Sequence, residues 1–376
     1  MVDKVTEADA CRLDLGLLER FAKDVFMGIG VPAEDARTCA DVLVTADKRG
    51  IDSHGVGRLK PIYYDRIVHD KVQVPVTRIE LVRDRLATAV VDGHHGMGMV
   101  VARHCMEMAI ERAAAYGMGM VVARNSTHYG IAGYYSLMAC DAGMIGITGT
   151  NARPSIAPTF GVENMLGTNP LVFGMPTDEP FPFTNDYATS IIQRGKVEQW
   201  DREGKTMAPG LVIDQVGKTR TDPGEVLRGL TDGTCALAPL GGIGEETAGY
   251  KGYGYATVVE ILSAALQQGA FLRALSGIED GRKVPHCLGH FFIAIDIASF
   301  CDLAAFRKTT GDILRQLRAS RKAPGAERIY TCGEKEHLAW LDRSKNGVPV
   351  DRIVQAQLCA MRDELDLRQY RFPFEP

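Results

Sequence analysis

Apolar positions at the start of the chain recur at helical spacing. Leu15, Leu17, Leu18, Phe21, Val25 and Phe26 mark one amphipathic helix. A second segment, "VPAEDARTCADVLVTADKRG", opens on Pro32 near a helix entrance and stops at Gly50. A third, about Leu59–Val68, follows the polar stretch "RGIDSHGVGRL". Near residue 76 the pattern shortens: "TRIELVRD", "LATAVVDG", "GMGMVVARN" and "GMIGITGTN" read as strands parted by glycine-rich turns. "NPLVFGMP", "APGLVID" and "HFFIAIDI" predict further strands. Helices are expected at "VARHCMEMAIERAAAYG" and "GYGYATVVEILSAALQQGA", the latter burying Val258, Val259, Leu262, Ala265 and Leu266 on one side. Beyond residue 301 the helical period returns in "DLAAFRKTTGDILRQLRAS", "EKEHLAWLDRS" and "VDRIVQAQLCAMRDELD".

The order is helices, a mixed α/β block, then helices. The simplest packing joins the two helical ends, residues 1–75 and 302–376, into one subdomain against a central sheet domain of residues 76–301. The expected fold class is therefore α/β, with a helical subdomain built from both chain ends.

Composition narrows the function classes. Of 376 residues, 45% are hydrophobic and 24% charged, which is ordinary for a globular chain, and the formal charge of −4 gives no reason to expect nucleic acid. The basic run at 315–328 falls on a late helix and its exit, where cations offset the helix dipole. The N-terminus carries no signal-peptide pattern and no apolar run reaches the ~18 residues of a membrane span, so no membrane partner is expected. Nine scattered cysteines without a C-x-x-C pair suit reduced thiols, and the expected compartment is the cytoplasm.

Candidate chemistry lies in loops. "RGIDSHGVGRL" gathers Ser53, His54 and Arg58 where a helix stops, with glycines at 50, 55 and 57 to bend the chain. It reads either as a helix-breaking loop or as a carboxylate-binding segment. His128, in "RNSTHYG", follows a strand; a packed or capping histidine is the ordinary alternative to a functional one. Asp186 interrupts the apolar stretch around "FTNDYATS" and reads equally as a helix N-cap. Lys251 sits between glycines at a helix start, where free N–H groups favour an anion. The dinucleotide fingerprint G-x-G-x-x-G is incomplete in "GHHGMGMVV" and "GYKGYGYAT", and both the phosphate loop and the G-x-S-x-G elbow are absent. His286 and His290 in "HCLGH" do not form a zinc pattern, and no metal is expected. Together these polar loops fit a cleft for a small anionic substrate and a phosphate-bearing cofactor.

The strings "RGIDSHGVGRL", "NSTHYGIAGYY", "FGVENMLGTNPLVFGMP", "DYATS", "GYKGYG" and "APGAERIYTCGEKE" occur in an order that resembles the malate/L-lactate dehydrogenase family of NAD(P)-dependent oxidoreductases, over roughly residues 13–365. That group lacks a Rossmann fold and includes sulfolactate, ureidoglycolate and piperideine-carboxylate enzymes. The resemblance implies a three-layer α/β/α cofactor domain with a mixed sheet, and the missing glycine fingerprint becomes an expected absence. It makes His128 the proton acceptor, oriented by Asp186 or His54, with Ser53, His54 and Arg58 lining the substrate site and Thr168 and Asn169 close by. It gives the cofactor to Ala152, Asp186, Tyr187, Ala188, Lys251, Gly333, Glu334 and Lys335. It implies NAD as cofactor, with NADP as the alternative, and a homodimer with the site near the subunit boundary. The implied reaction is oxidation of a small 2-hydroxy acid, malate to oxaloacetate first; reduction of another 2-oxo or cyclic imino acid, or dinucleotide binding without catalysis, are the alternatives. The chain departs from the family's usual pattern at Ala152–Arg153, where small hydroxyl or acidic residues are common, and at Tyr187, where methionine is usual.

Overall fold

The computed structural model describes residues 10–375. The chain runs through β1 (Cys11–Leu13), α1 (Leu15–Gly28), α2 (Ala33–Lys48), two 3-10 turns and a π-helical turn (Leu59–Tyr64) that passes directly into α3 (Asp65–Val68). There follow β2 (Glu80–Arg85), β3 (Thr88–Asp92), α4 (Gly98–Tyr116), β4 (Met118–Ser126), α5 (Gly133–Asp141), β5 (Met144–Thr150), β6 (Leu171–Met175) and β7 (Phe183–Tyr187). Next come α6 (Arg194–Glu203), β8 (Val212–Asp214), α7 (Pro223–Asp232), β9 (Cys235–Leu237), α8 (Gly249–Ala264), β10 (Ile278–Glu279), β11 (Arg282–Lys283) and β12 (Leu288–Asp296). The chain closes with α9 (Leu303–Ala319), α10 (Glu334–Asn346), β13 (Val348–Val350) and α11 (Arg352–Glu364).

Seven strands form one mixed sheet in the order β2-β3-β4-β12-β5-β6-β7. Only β3 and β4 pair parallel; β12 lies between β4 and β5, antiparallel to both. Strand alternation divides the aromatic pair of β12 between the two faces. Phe292 joins Val91, Val121 and Tyr135 under α4 and α5, while Phe291 joins Val122 and Val259 under α8. The result is the three-layer α/β/α arrangement that the family resemblance implies.

A separate apolar core brings the two ends of the chain together. The stripe Leu18, Phe21, Val25 and Phe26 of α1 packs with Val348, Val350, Leu358, Met361, Tyr370 and Phe372. Asp14 caps α1 by accepting from Leu17 N (2.8 Å), and Asp351 caps α11 by accepting from Val354 N (2.9 Å). Between these caps β1 pairs antiparallel with β13, Cys11 opposite Val350 and Leu13 opposite Val348. Tyr63 and Tyr64 belong to the same core, so the segment after the "RGIDSHGVGRL" motif is anchored there. By contrast α9 runs beside the β6–β7 turn, where Arg315 reaches Asp178 (2.9 Å).

Two features depart from the sequence pattern. A third core, with Ile156, Val197, Val212, Val226, Leu237 and Ala256, gathers α6, α7 and the β8–β9 pair into a lobe that periodicity does not reveal. Helix α8 is also turned relative to expectation. It buries Ala256, Val259, Glu260, Ser263 and Ala264, whereas Val258, Ile261 and Leu266 are about half exposed. A helix apolar nearly all round offers its period no preferred face, and here a buried carboxyl decides: Glu260 accepts from Asn169 Nδ2 (2.8 Å) and Leu272 N (2.9 Å).

Candidate active site

His128 stands just past the end of β4. Thr127 Oγ1 accepts from Gly98 N (2.9 Å) and donates to Gly96 O (2.7 Å), pinning that exit to the start of α4. The imidazole Nδ1 lies 2.7 Å from Tyr63 Oη, and Gly130 N donates to it at 3.3 Å. Among the described residues no protein group bonds Nε2, so that nitrogen is left for a ligand. A backbone N–H can only donate, so the Gly130 contact favours a lone pair on Nδ1 and a proton on Nε2. The Tyr63 hydroxyl both donates and accepts, and therefore satisfies either tautomer of the neutral ring.

The helical arm reaches the same place. The rings of His54 and His128 stack with centroids 5.7 Å apart at 17°. Ser53 Oγ lies 2.9 Å from His54 Nδ1, and Arg58 Nε donates to the Ser53 carbonyl (2.5 Å). The two terminal nitrogens of Arg58 have no partner among the described residues. Beneath the loop Asp47, 2% exposed, accepts from Val56 N (2.8 Å). The structure thus joins Ser53, His54, Arg58 and His128 in one cluster.

Electrostatics favour a neutral base. Burial, followed by the neighbouring His54, Arg66 and Arg58, holds His128 well below the usual imidazole range. Burial and Arg58 bring His54 down to about 4. A general base must be unprotonated, so with His128 in the proton-acceptor role that the resemblance implies, hydroxy-acid oxidation should hold its kcat/KM as pH falls from about 8 through ~6.5, where an ordinary histidine is half lost. Arg66→Gln removes a cation that depresses His128, so its acid limb should move to higher pH. A pH–rate profile that is identical in wild type and variant contradicts this.

The other expected residues take up several kinds of position. Asp186 does not touch His128: its carboxylate accepts from Gly133 N (2.8 Å) at the start of α5, and burial pushes its pKa up to about 6. Orienting His128 falls to Tyr63 instead. Asn169 is fully buried and cannot line a cleft; its amide ties Ala152 N (3.1 Å) to Ala256 O (3.1 Å) and Glu260. The Thr168 carbonyl accepts from Thr189 N (2.9 Å), next to Ala188. Glu334 is 3% exposed; its carboxylate is consumed by Arg328 and by Thr331 N (3.2 Å), and its own N–H donates to Thr331 O (3.1 Å), so it holds the turn rather than reaching a ligand.

Of the rest, Tyr187, Lys251 and Lys335 are exposed, Ala152 and Ala188 half-buried, and Gly333 buried. Tyr187, 52% exposed, donates from its hydroxyl to Cys332 Sγ (3.3 Å), joining β7 to the segment that ends in Gly333 and the exposed Lys335. Gly333 has φ +89°, and a Cβ there would lie 2.5 Å from Pro182 O, so that only glycine brings this turn against β7. On the other side Leu240 N donates to Thr189 O (2.8 Å), and Leu240 packs on Gly252, next to Lys251. The N-cap of α8 is Ala248, with no side-chain cap; Gly249 N donates to Gly244 O (3.2 Å) and Lys251 N to Ala248 O (3.0 Å), so the exposed Lys251 ammonium is the main group this helix start offers an anion. An uncapped helix start with a lysine and an exposed aromatic ring suit the phosphates and a flat ring of a dinucleotide. Among the described residues no three metal-binding side chains converge, and no helix is long and apolar enough to cross a membrane.

Sequence reading misses Tyr63, Asp47 and Arg66. The segment Leu59–Val68 shows only amphipathic spacing, yet Tyr63 and Arg66 stand three apart on it, and the histidine partner is 65 residues away.

The family model for malate/L-lactate dehydrogenase matches residues 14–359. The chain belongs to the malate/L-lactate dehydrogenase family. Within it, the chain is 44% identical over 339 residues to a malate dehydrogenase of Pyrococcus horikoshii, covering 90% of this chain and 91% of that one. The solved malate dehydrogenase of Entamoeba histolytica superposes with a TM-score of 0.92 at 42% identity, over 97% of this chain and 100% of the other. The sulfolactate dehydrogenase of Methanocaldococcus jannaschii superposes with 0.83 at 35%, over 96% and 99%. The protein is accordingly an enzyme of the dehydrogenase class acting on 2-hydroxy acids, and the family implies a nicotinamide cofactor.

Proposed function

We propose that the protein oxidises malate to oxaloacetate, and runs the reverse, with NAD as its cofactor and NADP as the alternative. The observation that carries this reading is an imidazole held at Nδ1 by Tyr63, with Nε2 free, beside an arginine whose fork is also free. The bound nicotinamide supplies the hydride acceptor. Arg58 holds the substrate carboxylate through its two terminal nitrogens, a planar match that fixes the adjoining carbon. His128 Nε2 takes the hydroxyl proton from the other neutral tautomer, in which Nδ1–H donates to Tyr63 Oη and the long 3.3 Å contact from Gly130 N is given up. Ser53 keeps the stacked His54 in place, and its neutral ring closes the site without adding charge. Tyr187, Ala188, Lys251, Gly333 and Lys335 form the rim that would hold the cofactor; Ala152, Asp186 and Glu334 shape it from behind.

The outward side of α8 supports a homodimer. Tyr255, Val258 and Ile261 are about half exposed there, and a cavity of 670 Å³ beside them is lined by Met165, Tyr253 and Phe271. Such a surface suits a second copy of the chain. All nine cysteines are free, consistent with a cytoplasmic protein.

The test is a panel of 2-oxo acids with NADH and NADPH, followed by absorbance. Oxaloacetate should give the highest kcat/KM; turnover of a cyclic imino acid alone, or dinucleotide binding without turnover of any oxo acid, would overturn the reading. Arg58→Lys should raise KM for the acid about tenfold or more, because the two-pronged grip is lost. Unchanged saturation would remove Arg58 from this role.

A further inference from the structure

The middle strand of the sheet touches the exits of both its neighbours. β12 lies between β4 and β5, and near its start stands His290, fully buried. Strand alternation puts it on the face of Phe292, beneath α4 and α5. Its ring stacks on Tyr129, the residue after His128, with centroids 4.5 Å apart at 6°. Tyr129 also stacks on Tyr135 of α5, at 5.0 Å and 27°, and Tyr135 Oη donates to the Tyr129 carbonyl. The Tyr129 hydroxyl is buried and has no hydrogen-bond partner among the described residues. Ring faces, not the phenol tip, therefore locate this side chain.

The ladder alone does not aim His128. Leu288 pairs with Ser126 but His290 with Ala123, so β4 carries one extra residue there, and Asn125 takes φ +49°. Such a bulge breaks regular pairing and re-aims the side chains near it. The backbone around His128 is held instead by Thr127, bonded to Gly98 N and Gly96 O, and by the stack on Tyr129. The other edge of His290 grips β5. Nδ1 lies 2.7 Å from Thr150 Oγ1, whose own proton goes to Asn151 O (2.8 Å) or Gly289 O (3.0 Å). A hydroxyl has one proton to give, so Nδ1–H is the donor in this pair. Gly289 N donates to Asn151 Oδ1 (2.8 Å), and two adjacent residues of β12 thus hold the turn that leads into Ala152. Burial brings His290 down to about 3, so the ring stays neutral at working pH and carries no proton for the reaction. Its contribution is geometric.

We propose that His290 is a positioning residue: through Tyr129 it holds His128 at its working place, and through Thr150 it keeps that place in register with the Asn151–Ala152 turn. The kinetic consequence rests on the dehydrogenase reading above. The second histidine of "HCLGH" is then a clamp between two strand exits.

Two variants separate the ring from the nitrogen. His290→Asn keeps an amide where Nδ1 meets Thr150 but removes the stacked ring; His290→Phe keeps the ring and loses the bond. His290→Asn should lower kcat about 10- to 100-fold, the cost of a reacting group displaced by about 1 Å or less. KM for the acid should stay nearly unchanged, and the pH–rate profile should move. His290→Phe should recover most of the lost kcat. Both changes lower the melting temperature, and a merely structural role predicts losses of kcat that track it. Equal losses in the two variants, or none in His290→Asn, would overturn the proposal. Tyr129→Leu removes the same stack from the other side and should repeat the His290→Asn result, a control against one misfolded variant.

A second measurement needs no turnover. With isotopically labelled histidine, the nine imidazoles of the chain give ring signals by magnetic resonance, and His128 is the one missing from His128→Ala. His290→Asn should displace the His128 signals, and His290→Phe should leave them in place. Signals unmoved in His290→Asn refute the clamp even in an active enzyme. If His128→Ala keeps full turnover, the dehydrogenase reading loses its base, and the ring signals alone decide whether His290 places that imidazole.

Discussion

His128→Ala should lower turnover by about 10²–10⁴-fold while the protein still binds dinucleotide. The imidazole is the proton acceptor of the proposed reaction, and the structure offers no substitute at its place. His54 is stacked on it, but its Nδ1 is engaged by Ser53 Oγ at 2.9 Å. The proposed cofactor rim, the 187–188, 251 and 333–335 segments, does not include the His128 ring, so quenching of nicotinamide fluorescence should survive in the variant. Near-normal turnover would remove His128 from the role, whereas parallel loss of dinucleotide binding would point to misfolding. Tyr63→Phe provides the finer test. It deletes the 2.7 Å contact to Nδ1 but keeps the packed ring in the helical core. A positioning role predicts a lower kcat at nearly unchanged KM and a displaced pH profile; a purely structural role predicts a lower melting temperature with kinetics intact.

Gly55→Ala should have the largest effect on stability. A Cβ at this position would lie 1.8 Å from Asp47 Oδ1. The carboxylate has nowhere to retreat, because Asp47 is 2% exposed and accepts from Val56 N at 2.8 Å. Either the acid leaves its donor or the loop lifts away from α2. Both leave a buried polar group unpaired, at a cost of roughly 2–4 kcal/mol. Since Ser53, His54 and Arg58 flank this point, lifting the loop also moves the carboxylate grip away from His128. A lower denaturation midpoint together with at least a hundredfold loss of kcat/KM is expected, and a variant that matches wild type in both would show the loop to be looser than the Asp47 contact implies.

The legible parts of this chain were those governed by local period. The stripe of α1, the alternation of β12 and the stop at Gly50 all follow from spacing, and the split between helical ends and a central sheet follows from their order. What spacing does not encode is which distant polar group fills a buried site. Asp186 looked like a partner for the imidazole and instead holds Gly133 N; Asn169 looked like a cleft residue and is a buried strut between Ala152 and Glu260. Helix α8 followed period only in part: Val259 is buried and Leu262 packs beside it as expected, but polar Glu260 and Ser263 point inward and Val258 and Ile261 outward. Tyr63 carried no signal beyond an aromatic on an amphipathic turn. These positions are settled by hydrogen-bond satisfaction in the folded interior, a property of the whole arrangement.

The ladder between β1 and β13 has a bearing on biosynthesis. The platform beneath Arg58 and Tyr63 includes Val348, Leu358, Tyr370 and Phe372, which leave the ribosome some three hundred residues after the arm they support. The sheet between them can be translated and paired first, but the arm has no finished seat until residue 372 has emerged. Catalytic competence therefore waits on the segment through residue 372, and a nascent chain stalled before that point would carry an ordered sheet and an unclasped arm.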